Sequence, residues 1–315
     1  DTRGEILLKS GMLDEAIASY ETALQKKPDF YSSLSHLEYL YILKGEFEKA
    51  RPIIERLLYR EAWLERATGR LHLIYSTLYQ GHFQEALSLI DSLIPLNIEE
   101  YGQEICPTFR QVKATILNEQ NDFEGIRKEL DLIRKVVKET FITNRSFNQE
   151  FYVQYLADYG HIQEAEVMAD ELKDSLIAES KPLSSYWYAV GCIAFARNDY
   201  ESATKKFEKS LEGANTLEFP FRFMLGRTLQ KSGRLSQAVE EFEKTLKIYY
   251  DYRLVWSIWS VKTYYYLGQV YEENGQYEKA LANYERFADF WKNGDAKIKE
   301  LEDARTRIKQ LQNRI

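Results

Sequence analysis

Residues Tyr264 to Phe287, YYYLGQVYEENGQYEKALANYERF, read as two helices folded back on each other. Tyr264, Leu267, Gly268 and Tyr271 recur three or four apart, which puts them on one helix face. Asn274-Gly275 then breaks the helix, because both residue types tolerate the left-handed backbone that closes a turn. A second apolar stripe follows at the same spacing: Tyr277, Ala280, Leu281, Tyr284 and Phe287.

Aligning the rest of the chain on Gly275 finds seven fainter copies. The turn residues fall at Gly11, Gly45, Gly81, Asn121, Gly160, Asn198, Gly233 and Gly275, spaced 34, 36, 40, 39, 38, 35 and 42 residues apart. Two residues past each turn stands an apolar residue, from Leu13 and Phe47 to Leu235 and Tyr277. Five past it stands Ala in seven of the eight copies, with Ile126 the exception. Nine past it come Tyr20, Ile54, Ile90, Leu130, Ala169, Phe207, Phe242 and Tyr284. A small residue facing a bulky one, repeated after each turn, predicts closely packed helix pairs.

This pattern (aromatic, Leu-Gly, Tyr, turn, Ala, aromatic) resembles the tetratricopeptide repeat (TPR), whose period is about 34 residues. The resemblance implies an all-α fold: a right-handed TPR superhelix, or α-solenoid, of about eight helical hairpins. Residues 1–294 are expected to form the array. Residues 295–315 are expected to form an amphipathic capping helix with Ile298, Leu301, Ile308, Leu311 and Ile315 on one stripe and Asp295 as its N-cap. The first repeat looks cut: Gly4 lies seven before its turn, where Gly226 and Gly268 lie in theirs, so its first helix is expected to begin upstream of Asp1. Irregular connections are expected at Leu96 to Pro107 and Lys135 to Arg145, the second carrying the sequon Asn144-Arg145-Ser146. The aromatic insert Tyr249 to Ser260, YYDYRLVWSIWS, is expected to lengthen two helices and pack between the last two repeats.

Composition narrows the function classes. Hydrophobic residues make up 44% and charged residues 29%, ordinary for a folded soluble chain. The net charge is −7 and no long basic run occurs, which argues against direct nucleic-acid binding by phosphate neutralisation. No apolar run reaches the length of a membrane span, about 18 residues, and no signal-peptide pattern is present. Cytoplasmic placement is expected, or periplasmic placement if a leader or anchor precedes Asp1. Cys106 and Cys192 lie in different repeats and read as reduced thiols.

No residue set points to catalysis, a cofactor or a metal. Phosphate-cradling glycine loops are missing, and His36, His72, His82 and His161 lack the spacing of a zinc site. The chain is therefore expected not to be an enzyme and to need no cofactor. What the resemblance implies is a scaffold that binds a peptide or protein segment in a concave groove lined by first helices. In the family, groove positions lie six and ten residues before each turn. Carried onto this chain, they nominate Tyr39, Tyr75, Gln111, Gln154, Tyr188, Phe223, Arg227, Tyr265 and Gln269 as partner-binding residues. Family members that grip chaperone tails use Lys, Arg and Asn there to hold a carboxylate. Tyr, Ser, Leu and Gln stand in those places here, so that specificity is not expected.

A narrower resemblance lies in Tyr284-Glu285-Arg286-Phe287, Trp291-Lys292, Asp295, Ala304-Arg305, Ile308 and Leu311. This ending looks like the terminal TPR unit of large bacterial signalling proteins. It implies an alternative role as the sensory or regulatory domain of a kinase, cyclase or transcriptional regulator, with an effector domain upstream in the same polypeptide.

Overall fold

The computed structural model describes residues 2–101, 107–139, 148–214, 217–249, 251–295 and 298–314. Among them no strand occurs. The helices pair off as hairpins: α1 (Thr2–Lys9) with α2 (Leu13–Lys26), α3 (Tyr31–Lys44) with α4 (Phe47–Leu58), and α5 (Trp63–Tyr79) with α6 (Phe83–Tyr101). Next come α7 (Thr108–Glu119) with α8 (Phe123–Glu139), α9 (Gln149–Asp158) with α10 (Ile162–Ala178), and α11 (Ser184–Ala196) with α12 (Tyr200–Leu211). The series ends with α13 (Glu218–Lys231) and α14 (Leu235–Leu246), α15 (Ser257–Glu273) and α16 (Tyr277–Phe290), and a last helix α17 (Lys299–Gln312).

The turn residues do what their types predict. Gly275 has φ 73°, and Asn121 and Asn198 take the same left-handed region at 57° and 60°. The backbone closes by a paired cap: Gly275 N donates to Glu272 O at 3.0 Å and Gln276 N donates to Tyr271 O at 2.8 Å. Two carbonyls that the helix end would leave open are thereby satisfied.

Four hairpins are held by a close fit between two positions. Seven residues before the turn, Gly4, Gly191, Gly226 and Gly268 each face a ring from nine residues after it: Tyr20, Phe207, Phe242 and Tyr284. A Cβ on these glycines would stand 2.6 Å from Tyr20 and 2.8 Å from the other three rings. In the remaining hairpins the earlier place holds Glu38, Ile74, Ala114 and Val153, and the later place holds Ile54, Ile90, Leu130 and Ala169. A ring is used where the opposite helix has no side chain, and an aliphatic residue or alanine where it has one, as close packing requires. The alanine five past the turn is fully enclosed in all seven hairpins that have it.

The chain divides into two compact units: Asp1–Leu89 with Leu246–Gly268 and Tyr277–Ile315, and Ile90–Thr245 with Gln269–Gln276. In the first, the C-terminal segments lie on the turns of the opening hairpins. Tyr249 sits 3.0 Å from the place of a Cβ on Gly11, Phe290 3.4 Å from that on Gly45, and Trp291 3.0 Å from that on Gly81. Trp291 is fully buried, with Phe83 edge-on at 5.3 Å. Asp295 N donates to Gly81 O at 3.0 Å, and its carboxylate accepts from Gln84 N at 2.9 Å.

Several expectations are corrected here. Asp295 caps the start of α6 rather than the tail helix, which begins at Lys299 with Ile298 at its N-cap position. The insert forms a 3-10 helix over Asp251–Trp256 and leads into α15, and it lies on the first helices α3 and α5 rather than between the last two repeats. Pro95 and Leu96 continue α6 to Tyr101, and α8 continues to Glu139; the sequon at Asn144 falls outside the described residues. Lys113, an unusual charge for its place, pairs with Asp91 at 2.5 Å and Glu129 at 3.3 Å.

The glycines separate two costs. Gly81→Ala is expected to destabilise the chain more than Gly233→Ala by urea denaturation. Both lose the left-handed backbone, worth about 1–2 kcal/mol, but only Gly81 lies under a ring, whereas nothing stands within 4 Å of a Cβ at Gly233. Trp291→Ala is expected to cost about 3–5 kcal/mol.

Candidate functional site

Of the nine nominated groove residues, seven are enclosed: Tyr39, Tyr75, Gln111, Gln154, Tyr188, Phe223 and Tyr265. Arg227 and Gln269 are half-buried. What covers the first seven differs between the units.

In the first unit, the chain covers its own first-helix face. Arg253 of the 3-10 segment is buried and donates to Leu246 O at 2.8 Å and Ile248 O at 3.3 Å. Its guanidinium lies close enough to the phenols of Tyr79, Tyr264, Tyr39 and Tyr249 to act on them electrostatically. Tyr39 is thus an inner surface of the fold. Tyr265 is enclosed by the tail: its hydroxyl donates to Asp303 at 2.7 Å, and its ring lies 5.3 Å from Phe287. Lys262 adds an ion pair to Glu300 at 2.7 Å. These bonds, with Leu301, Ala304 and Leu311 buried, seat α17 on this unit.

In the second unit, the first helices build a polar face on an aromatic floor. Tyr188 stacks on Phe221 at 4.6 Å and meets Phe151 at 5.7 Å, so the ring belongs to the core. Its hydroxyl donates to Gln154 Oε1 at 2.6 Å. With its oxygen held, Gln154 turns its amide nitrogen toward Asp158 Oδ2, 3.5 Å away. Gln111 accepts from Asn148 at 2.6 Å, and Phe223 packs on Phe242. Gln230 donates to Glu273 at 3.0 Å and Gln269 at 3.4 Å, which ties α13 to the end of α15.

Asp158 is the residue that sequence reasoning missed. Its side chain is exposed to water. Yet protein mass gathered around it pushes its carboxyl up to about 6, with Gln154 and then Arg227 pulling the other way. It is exposed, with Gln154 and Arg227 among its neighbours. From there its charge also acts on Tyr188 and Cys192 of α11. The position two before the turn reads Lys9, Leu43, Tyr79, Glu119, Asp158, Ala196, Lys231 and Glu273, with charged and uncharged residues in both units, so the register alone does not single out Asp158.

The remaining reactive types are placed as structural groups. Burial pushes the Cys192 thiol up, away from the thiolate that a nucleophile needs. His72 Nδ1 meets Glu38 at 2.5 Å in the core, and His82 Nε2 lies 2.9 Å from Asn293 O. Among the described residues, no group of three His, Cys, Asp or Glu could hold a metal, and no helix is long and apolar enough to cross a membrane. Cys106 lies outside the described residues.

Comparison with known proteins follows the repeat geometry. Two family models, each described as tetratricopeptide repeat, match residues 7–62 and 223–295. The CTR9 homolog protein of Arabidopsis thaliana is 23% identical over 286 residues, covering 89% of this chain. The chain spans 24% of that relative's length. Yeast Tom70 superposes with a TM-score of 0.50 at 16% identity, over 96% of this chain and 59% of Tom70, a likeness of fold. A tetratricopeptide repeat protein from Parabacteroides merdae aligns over 90% of this chain and 99% of its own, at 15% identity and a TM-score of 0.47.

Glu150, also on α9, supplies a pH test. Burial pushes its carboxyl up to about 7, and its own backbone, Ser185 and Lys181 offset this only in part. The folded chain therefore holds this proton where the unfolded chain has lost it, and stability falls as pH rises from about 4.5 to about 7. Glu150→Gln is expected to remove up to about 3 kcal/mol of that fall, so the variant should gain on the parent at pH 8 and match it near pH 4 in denaturant titrations.

Proposed function

This chain belongs to the tetratricopeptide-repeat superfamily, and we infer from its surfaces that it is a non-catalytic scaffold binding a protein segment on the first-helix face of its second unit. One observation carries this reading. The first unit's face is filled by Arg253 and the aromatic insert, while Asp158, Arg227, Gln230 and Gln269 keep polar groups at the surface of the second. Such a row suits an extended or helical segment: the amides satisfy polar groups along it, and the aromatic floor beneath keeps the row rigid. Of the nominated residues, Arg227 and Gln269 are retained as contacts, and Asp158 joins them. The enclosed seven support the face from below or belong to the first unit's core.

The signalling-protein alternative rests on the C-terminal ending. Tyr284 packs on Gly268, Trp291 on Gly81, and Asp295 caps α6, so these residues are already explained by the fold. The general scaffold is the reading we adopt.

A photo-crosslinking residue placed at Gln230 in the full chain, expressed in its native host, should yield a discrete protein adduct. The same residue at Glu208, exposed on the second-helix side, should yield none of that species. Equal labelling from both positions would refute the assignment of this face.

A further inference from the structure

The repeat register picks out a surface tyrosine that packing does not require. The position fourteen past the turn is exposed in all eight hairpins. Six of them place Gln25, Lys135, Asp174, Glu212, Lys247 and Asp289 there, and a seventh places Pro95. The remaining hairpin places Tyr59 there, 86% exposed. Trp63 and Leu64 follow within five residues, 48% and 60% exposed. Three large apolar side chains so close in sequence stand in water at the connection between α4 and α5, a feature that marks interaction sites.

The connection that carries them is tied down. Arg66, in the first turn of α5, donates from Nη1 to Arg60 O at 2.8 Å and to Glu61 O at 2.6 Å. Arg60 Nε donates to Glu65 Oε2 at 2.6 Å. The exposed side chains therefore project from a fixed backbone, and a partner docking on them would pay little to order it. Tyrosine and tryptophan are also the residue types that anchor interfaces most strongly.

The charges around the connection say which partner fits. Arg56 pairs with Asp29 at 2.9 Å, and Arg60 with Glu65. Arg66 is engaged with the two backbone carbonyls. Glu61 is exposed and forms no ion pair among the described residues. The surface thus offers apolar anchors beside one open carboxylate, whose complement is a cation.

We propose that the α4–α5 connection, through Tyr59, Trp63 and Leu64 with Glu61 beside them, docks a partner protein segment whose apolar anchor is flanked by an arginine or lysine. This surface belongs to the first unit and does not depend on the reading of the second unit's face. The basic side chain would meet Glu61, and its cation is also favoured near aromatic rings. An anionic membrane surface, which exposed Trp and Tyr could otherwise suit, would repel Glu61.

The test pans a random peptide library displayed on phage against the full chain, with counter-selection on Tyr59→Ser, whose circular dichroism spectrum should match the parent. Surviving sequences should pair an apolar residue with Arg or Lys. Affinity of one such synthetic peptide, read by fluorescence anisotropy, should fall at least about tenfold in Leu64→Ser and about threefold in Glu61→Gln. It should be unchanged in Val167→Ser, a comparably exposed apolar residue on α10. If no peptide survives counter-selection, or if Leu64→Ser binds at full affinity, the docking surface is wrong. Survivors without a basic residue, full affinity in Glu61→Gln, equal loss in Val167→Ser, or retention of the chain on phosphatidylserine vesicles would each overturn the proposal.

Discussion

The fit between a residue seven before the turn and one nine after it sets the spacing within the four hairpins where glycine meets a ring. A glycine against a ring lets the two helices approach until the ring lies on bare backbone. Van der Waals attraction grows with such contact, and a methyl group in the gap would push the ring away. The volumes trade off in six hairpins, Gly with Tyr or Phe, Val153 with Ala169 and Ala114 with Leu130, whereas Ile74 with Ile90 and Glu38 with Ile54 do not follow it. Because the fit is local, each hairpin closes by itself, and the array is stabilised mainly by neighbours a few helices away. Variation in repeat length, from 34 to 42 residues, is tolerated because added residues fall outside these paired positions.

The hairpins were legible because their determinants are short-range. A turn glycine, an alanine five later and a bulky residue nine later lie within one supersecondary unit, and one stretch such as Tyr264 to Phe287 displays all of them. The exceptions are physical. Asn121 and Asn198 replace glycine where a left-handed residue is needed. Pro95 reads as a stop but sits inside α6, because proline removes one backbone donor without forbidding a helix supported by its neighbours. The insert was misread because its aromatic residues fit several burial sites equally well. The site that won lies more than 150 residues away in sequence, with Arg253 on Tyr39 and Tyr79.

The candidate site was legible only in part for a related reason. Family register gives the angular position of a side chain on a first helix, not whether another part of the chain covers it. Tyr39 and Gln154 hold the same register, yet one lies under Arg253 and the other orients an open carboxylate. Tyrosine also misled. Its amphipathic ring suits a recognition surface and a buried hydrogen bond alike, and Tyr188 and Tyr265 took the second use, with Gln154 and Asp303 as their acceptors. The register two before the turn gives no better clue, because Lys9 stands in it with Leu43 in the first unit and Ala196 with Asp158 in the second.

Burying a polar group unpaired costs free energy, so a position covered by the chain's own segment is held to apolar or aromatic residues, or to polar ones whose partners come with the cover. Arg253 meets that condition by bringing donors to Leu246 O, Ile248 O and Ser260 Oγ. Asp158 does not: its carboxyl is raised by its surroundings, and it meets no cation at ion-pair distance among the described residues. A carboxylate held in that state is tolerated because water still reaches it. The incomplete electrostatics of Asp158 and its openness to solvent are therefore one property.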